Sequence, residues 1–125
     1  MNRLFIITCI FFIVGCKKEA VIKPVPAIVI NTPTDNQHFV MGDTIRITGT
    51  ITHTIELTEV AVHMTDLATK IEFFHNHFSG GNSLTYNFSS KYPVPDNTRA
   101  SYQVEVEAAD KDGNTAVKEI TILIN

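Results

Sequence analysis

Residues 100–109 alternate without interruption: Tyr102, Val104, Val106 and Ala108 fall on one side of an extended backbone, and Gln103, Glu105 and Glu107 on the other. Successive side chains of a pleated strand project to opposite faces, so this period of two marks a strand with one buried face. The same period recurs from Ala27 onward, with no long helical period anywhere. Ala27–Thr32 is a first strand, stopped by Pro33; residues 34–37 form a turn and 38–40 a short extended return. In residues 44–52, Ile45, Ile47, Gly49 and Ile51 share a face, and a glycine in that row signals a bulge or another backbone close by. Residues 56–64 place Val60, Val62 and Met64 inward, residues 66–69 turn, and residues 70–78 form a strand with Ile71 and Phe73 on one side. Residues 79–83 (SGGNS) read as a loop, after which Leu84, Tyr86 and Phe88 alternate with polar neighbours. Asp110-Lys111-Asp112-Gly113-Asn114 is a hairpin turn, and Thr115–Ile124 closes the chain with Ile120, Ile122 and Ile124 inward. About seven strands spaced roughly ten residues apart predict a β-sandwich or small barrel.

The start of the chain obeys another rule. Arg3 precedes a predominantly apolar run over residues 4–14, about half of the ~20 residues that a membrane-spanning helix needs. A positive start, a short apolar stretch and small residues at its end are the requirements of an export signal. Ile13-Val14-Gly15-Cys16 resembles the lipobox of bacterial lipoproteins. That resemblance implies a diacylglycerol on the Cys16 thiol and cleavage between Gly15 and Cys16, with no cofactor other than this covalent lipid. The other readings of the segment are an ordinary signal peptide with a chance cysteine and an N-terminal membrane anchor. The organisation expected is a signal peptide over residues 1–15, a lipidated cysteine and spacer over 16–26, and one β domain over 27–125. Pro24 and Pro26 favour an extended chain in the spacer. Lys17, Lys18 and Glu19 beside the cysteine resemble surface-export signals, and the second position lacks the aspartate that retains lipoproteins in the inner membrane of enteric bacteria. Both point to the outer membrane, on either its periplasmic or its surface-exposed side.

Removing 15 of 125 residues leaves 110, enough for one domain and one core. Cys9 leaves with the signal peptide and Cys16 is consumed by lipid, so burial alone must hold the domain. Ten basic residues against thirteen acidic, with no basic cluster, argue against nucleic acid as a partner. Trp is absent, which removes the commonest large stacking platform for sugars.

The pattern Tyr102-Gln103-Val104-Glu105-Val106-Glu107-Ala108-Ala109-Asp110, followed by Gly113-Asn114, resembles the last hairpin of bacterial immunoglobulin-like domains. Pro33, Phe39, Gly42-Asp43, Ile45 and Ile47 resemble the opening of such domains. The resemblance implies a single immunoglobulin-like antiparallel β-sandwich of the cell-surface kind, lacking the cysteine pair and core Trp of antibody domains. Such modules act as spacers or binding surfaces, and the fold by itself implies no activity.

Nucleophile, phosphate-loop and dinucleotide motifs are absent. The Asp110 turn resembles the start of a calcium loop, but its twelfth position is Thr121, which cannot complete the oxygen coordination. The histidines are His38, His53, His63, His75 and His77. His75 and His77 point to one side of a regular strand. With the turn centred in residues 66–69, His63 falls opposite Glu72 with the other parity, and a bulge is needed to gather all three histidines. His63, Glu72, His75 and His77 are the residues able to supply the three or four ligands that zinc or copper takes, with Met64 or Met41 as a soft copper ligand. The competing reading is that these are polar strand and loop residues. Phe73 and Phe74 are adjacent, so one must leave the core; Phe74 with Phe78 and the glycine loop is then a possible partner surface. The function expected is a non-enzymatic envelope lipoprotein, a binding or spacer module facing an envelope protein or glycan. The alternative is a metal-handling lipoprotein that uses the histidine strand.

Overall fold

A computed structural model describes residues 19–96 and 98–125; the expected signal peptide, lipobox and Cys16 lie outside them. Among the described residues, six strands carry the fold: β1 (Ala27–Thr32), β2 (Gln37–Phe39), β3 (Thr44–Asp66), β4 (Glu72–Pro93), β5 (Ala100–Asp110) and β6 (Thr115–Ile124). No helix occurs among the described residues.

The inward rows expected from the alternation are the rows that are buried. Ile45, Ile47 and Ile51 of β3, Val60, Val62 and Met64 further along it, Val104 and Val106 of β5, and Ile122 of β6 form one cluster. Full burial of such an aliphatic side chain contributes roughly 1.5–3 kcal/mol. These residues come from the two halves of a single curled sheet. The first half of β3 lies between β1 and the end of β4, and its second half between β5 and the start of β4. With β6 beside β5 and β2 beside β6, the sheet order is β1-β3-β5-β6-β2. The sheet folds back on itself so that β1 packs against β6 without pairing with it.

Four expectations are corrected. Residues 44–52 and 56–64 are not separate strands but one strand of 23 residues, bent where residues 53–56 bulge opposite Leu84 alone. Residues 79–83 are not a free loop. They belong to β4, with residues 80–82 bulged opposite Thr58 at the same corner, where Gly81 and Asn82 adopt positive φ. Both long strands thus change direction together, and the corner is where glycine is required. The segment 38–40 is not an antiparallel return: β2 pairs in parallel with β6, Gln37 opposite Ile122 and Phe39 opposite Ile124. Its lead-in is docked on the same edge, with the Asn36 N–H donating to the Thr121 carbonyl at 2.7 Å and the Thr121 N–H to Asp35 Oδ1 at 2.8 Å. The sandwich is therefore not purely antiparallel.

The fourth correction concerns the phenylalanines. A bulge between the pairs Met64–Phe74 and Thr65–Glu72 leaves Phe73 unpaired. Phe74 and Phe78 turn inward and pack half-buried against the core, so they do not form an exposed partner surface. Phe73 is the more open ring, at 36% exposure, and even it lies 4.5 Å from Tyr102 and 5.2 Å from Tyr92, centroid to centroid. The extra residue relieves the conflict between neighbours that strict alternation would impose.

Gly49 answers its place in the apolar row. A Cβ there would strike the Val29 carbonyl oxygen and the Phe88 ring, so the glycine admits both β1 and a core aromatic. We expect Gly49→Val to lower the unfolding free energy by about 3 kcal/mol, the upper end of overpacking costs, because one of the colliding groups is backbone. Val29→Thr, on the exposed face of β1, should change it by less than ~0.5 kcal/mol. Denaturant titration of both variants checks the contrast.

Candidate functional site

The outer face of β3, β4 and β5 carries the polar rows left over from the core. Hydrogen-bond registry decides which of them meet. His63 sits opposite His75, and Ala61 opposite His77, so all three imidazoles project from one face. The expected partner of His63, Glu72, pairs instead with Thr65. The Phe73 bulge then returns the Glu72 side chain to the face of His75.

The result is a compact group. Glu72 Oε2 lies 3.1 Å from His63 Nδ1, and Glu72 Oε1 lies 3.2 Å from His75 Nδ1. The two rings meet edge to face with centroids 4.3 Å apart. Burial works against the charge on Glu72, but hydrogen bonds from His75 and His63 outweigh it and hold the carboxyl below its ordinary range. His77 is adjacent rather than included: its ring lies 6.5 Å from that of His75, and its Nε2 is 4.0 Å from Glu59. Met64 is fully buried on the opposite, inner face and is unavailable as a copper ligand. Met41 lies in the β2–β3 connection, on neither histidine-bearing strand.

The far side of His63 faces acid. Its Nε2 is buried, makes no hydrogen bond among the described residues, and lies 3.7 Å from Glu107. Glu105 belongs to the same group and stands directly across from Glu119 of β6. Burial, the shared hydrogen bond with Glu119, and the charges of Glu107 and Glu119 push the Glu105 carboxyl up, with His63 opposing them. These glutamates were visible as the outward row of β5, but their meeting with His63 depends on a registry that alternation does not carry. A shallow groove of about 260 Å³ runs over this face, lined by Glu59, His63, His75, His77 and Glu107 above a floor that includes Ala61 and Ala109.

The other two histidines are structural. His38 Nδ1 lies 2.7 Å from the Asn125 side-chain amide. His53 sits in the β3 corner with Nε2 2.9 Å from Asp110 Oδ2, both side chains almost wholly buried. Asp110 also accepts the backbone N–H groups of Asp112 and Asn114, each at 2.9 Å, and the Asn114 amide at 2.8 Å. Its oxygens are spent on the hairpin turn and the corner, which leaves the calcium-loop resemblance without its first ligand.

No protein-family model matches the chain, and no curated protein matches it. Among solved structures it is similar to a Niemann-Pick type C2 protein from the Japanese carpenter ant, with a TM-score of 0.51 at 8% identity, over 82% of this chain and 92% of that one. At that identity the likeness is one of fold alone.

Asp110 makes the corner pH-sensitive. Burial alone would raise its carboxyl, but the bonds from Asn114, His53 and Asp112 prevail and lower it from 3.8 to about 2. A carboxyl depressed on folding contributes stability that is complete above the unfolded value and lost as pH falls through the folded one. Unfolding free energy should therefore fall between about pH 4 and pH 2. Asp110→Asn should be less stable at pH 6 and show a shallower acid limb than the unaltered chain, as read from denaturant titrations across that range.

Proposed function

We propose that this chain is a non-enzymatic envelope lipoprotein, tethered to the outer membrane through lipid on Cys16, whose immunoglobulin-like β-sandwich serves as a binding or spacer module. The reading is supported first by the lipobox-like Ile13-Val14-Gly15-Cys16. The observation that carries it furthest is the stretch leading into the domain. Residues 19–25 belong to no strand and are exposed, and Pro26, just before β1, is the first buried residue among the described ones. A stretch of that kind, with Pro24 and Pro26 limiting its folding back, holds a domain away from its point of attachment. Single acyl chains give only marginal membrane binding, and the diacylglycerol of a lipobox cysteine supplies two. The all-β fold is compatible with a binding module and carries no activity of its own. An envelope protein or a glycan is the partner class this placement suggests.

The experiment is metabolic labelling with a fatty-acid analogue in a bacterial host. The unaltered chain should take up label and fractionate with membranes. Cys16→Ser should lose the label and accumulate as uncut precursor. Label retained on Cys16→Ser would overturn the anchor.

A further inference from the structure

His63 is placed between two sets of carboxylates, with Glu72 at Nδ1 and Glu107 beside the buried Nε2. A neutral imidazole carries one N–H and one lone pair. If the proton is on Nδ1, the Nε2 lone pair is buried and aimed at Glu107. If it is on Nε2, the Nδ1 lone pair confronts a Glu72 oxygen at 3.1 Å. Either tautomer leaves one nitrogen facing negative charge with nothing to donate. A cation between Nδ1 and Glu72 removes the conflict, and His63 can then donate Nε2–H to Glu107.

We propose that His63 Nδ1, His75 Nδ1 and a Glu72 carboxylate oxygen form a three-ligand site for a divalent transition-metal ion of the zinc and copper class. Two imidazoles and one carboxylate form the donor set these ions select. With metal–nitrogen bonds near 2.0–2.1 Å, tetrahedral ligand atoms stand about 3.3 Å apart. Here Glu72 Oε2 stands 3.1 Å from His63 Nδ1 and Glu72 Oε1 stands 3.2 Å from His75 Nδ1, and one ligand atom from each of the three residues lies within 4.8 Å of the other two. The ligands come from two directly paired strands, so the backbone holds them without a flexible loop. Glu107 has the position of the outer-shell carboxylate that commonly orients a metal-bound imidazole through its other nitrogen. The His75 side chain is half-exposed at the groove, which leaves a route for the ion and an open fourth position for water or a further ligand. His77 lies outside the set.

None of these residues lies near the chain start, so the site stands or falls independently of the lipid anchor. The test is calorimetric titration of the full chain in detergent with zinc chloride in a buffer that does not bind metal, with cobalt(II) absorption as a second readout of tetrahedral coordination. The expected result is one zinc ion per chain with submicromolar affinity. Glu72→Gln and His75→Ala, both at half-exposed side chains, should abolish it while leaving the circular dichroism spectrum unchanged. Glu107→Gln should weaken it about tenfold or more, and His77→Ala should leave it unaltered. No stoichiometric zinc binding would overturn the site. Binding that survives Glu72→Gln and His75→Ala, or that is lost in His77→Ala, would overturn the ligand set.

Discussion

Strand β3 has neighbours on both edges over most of its 23 residues, and the rest of the domain is hung on that pairing. It binds β1, β4 and β5 directly, and carries β6 and β2 through β5. A backbone with a strand on each edge has its polar groups paired on both sides, so β3 can leave one half of the curled sheet only where its neighbours leave with it. That happens at residues 53–56, at the same corner as the bulge of β4 at residues 80–82. The β5–β6 turn closes over the gap. The Lys111 N–H donates to the Glu56 carbonyl at 3.0 Å, the Thr58 hydroxyl to the Ala109 carbonyl at 3.2 Å, and Asp110 holds His53. The corner is thus the place where backbone pairing lapses and side chains substitute for it.

Much of this was legible in the residues, and the limit has a physical form. A strand with one buried face must alternate, so Ile45, Ile47, Ile51, Val60, Val62, Met64, Tyr102, Val104 and Val106 could be assigned to the interior one strand at a time. Alternation says which side of its own strand a residue takes and nothing about which residue faces it across a ladder. The turn-centred expectation pairs residues whose numbers sum to 135, whereas His63 and His75, or Val60 and Phe78, sum to 138. That offset of three exchanges the parity of His63 and brings it to its two neighbours. Glu72 joins them only because Phe73 is an extra residue, and nothing in Glu72-Phe73-Phe74 distinguishes a bulge from a strand with one ring outside. The parallel placement of β2 was equally hidden, since a three-residue strand carries too little pattern to name its partner.

The outer face is where the sheet accepts electrostatic cost. Like charges directly opposite each other destabilise a sheet, yet Glu105 faces Glu119 across β5 and β6, with Glu107 one step along. One face therefore holds several carboxylates and three imidazoles above a floor of small side chains, while the opposite face of the same strands carries the apolar core. Rigid strands keep these groups together without the conformational entropy that a loop would lose on ordering them.

The corner in β4 has a consequence for how copies of this molecule meet. Among the described residues β4 pairs with β3 alone, which leaves its other edge, 22 residues long, without a neighbouring strand. A long, flat, open edge is a template for the strand of another molecule and a route to aggregation. The bulge at residues 80–82, with the left-handed backbone of Gly81 and Asn82, divides that edge into two shorter pieces belonging to different halves of the curled sheet. No straight incoming strand can follow both. The same break that lets the sheet enclose its core thus protects the domain from self-stacking.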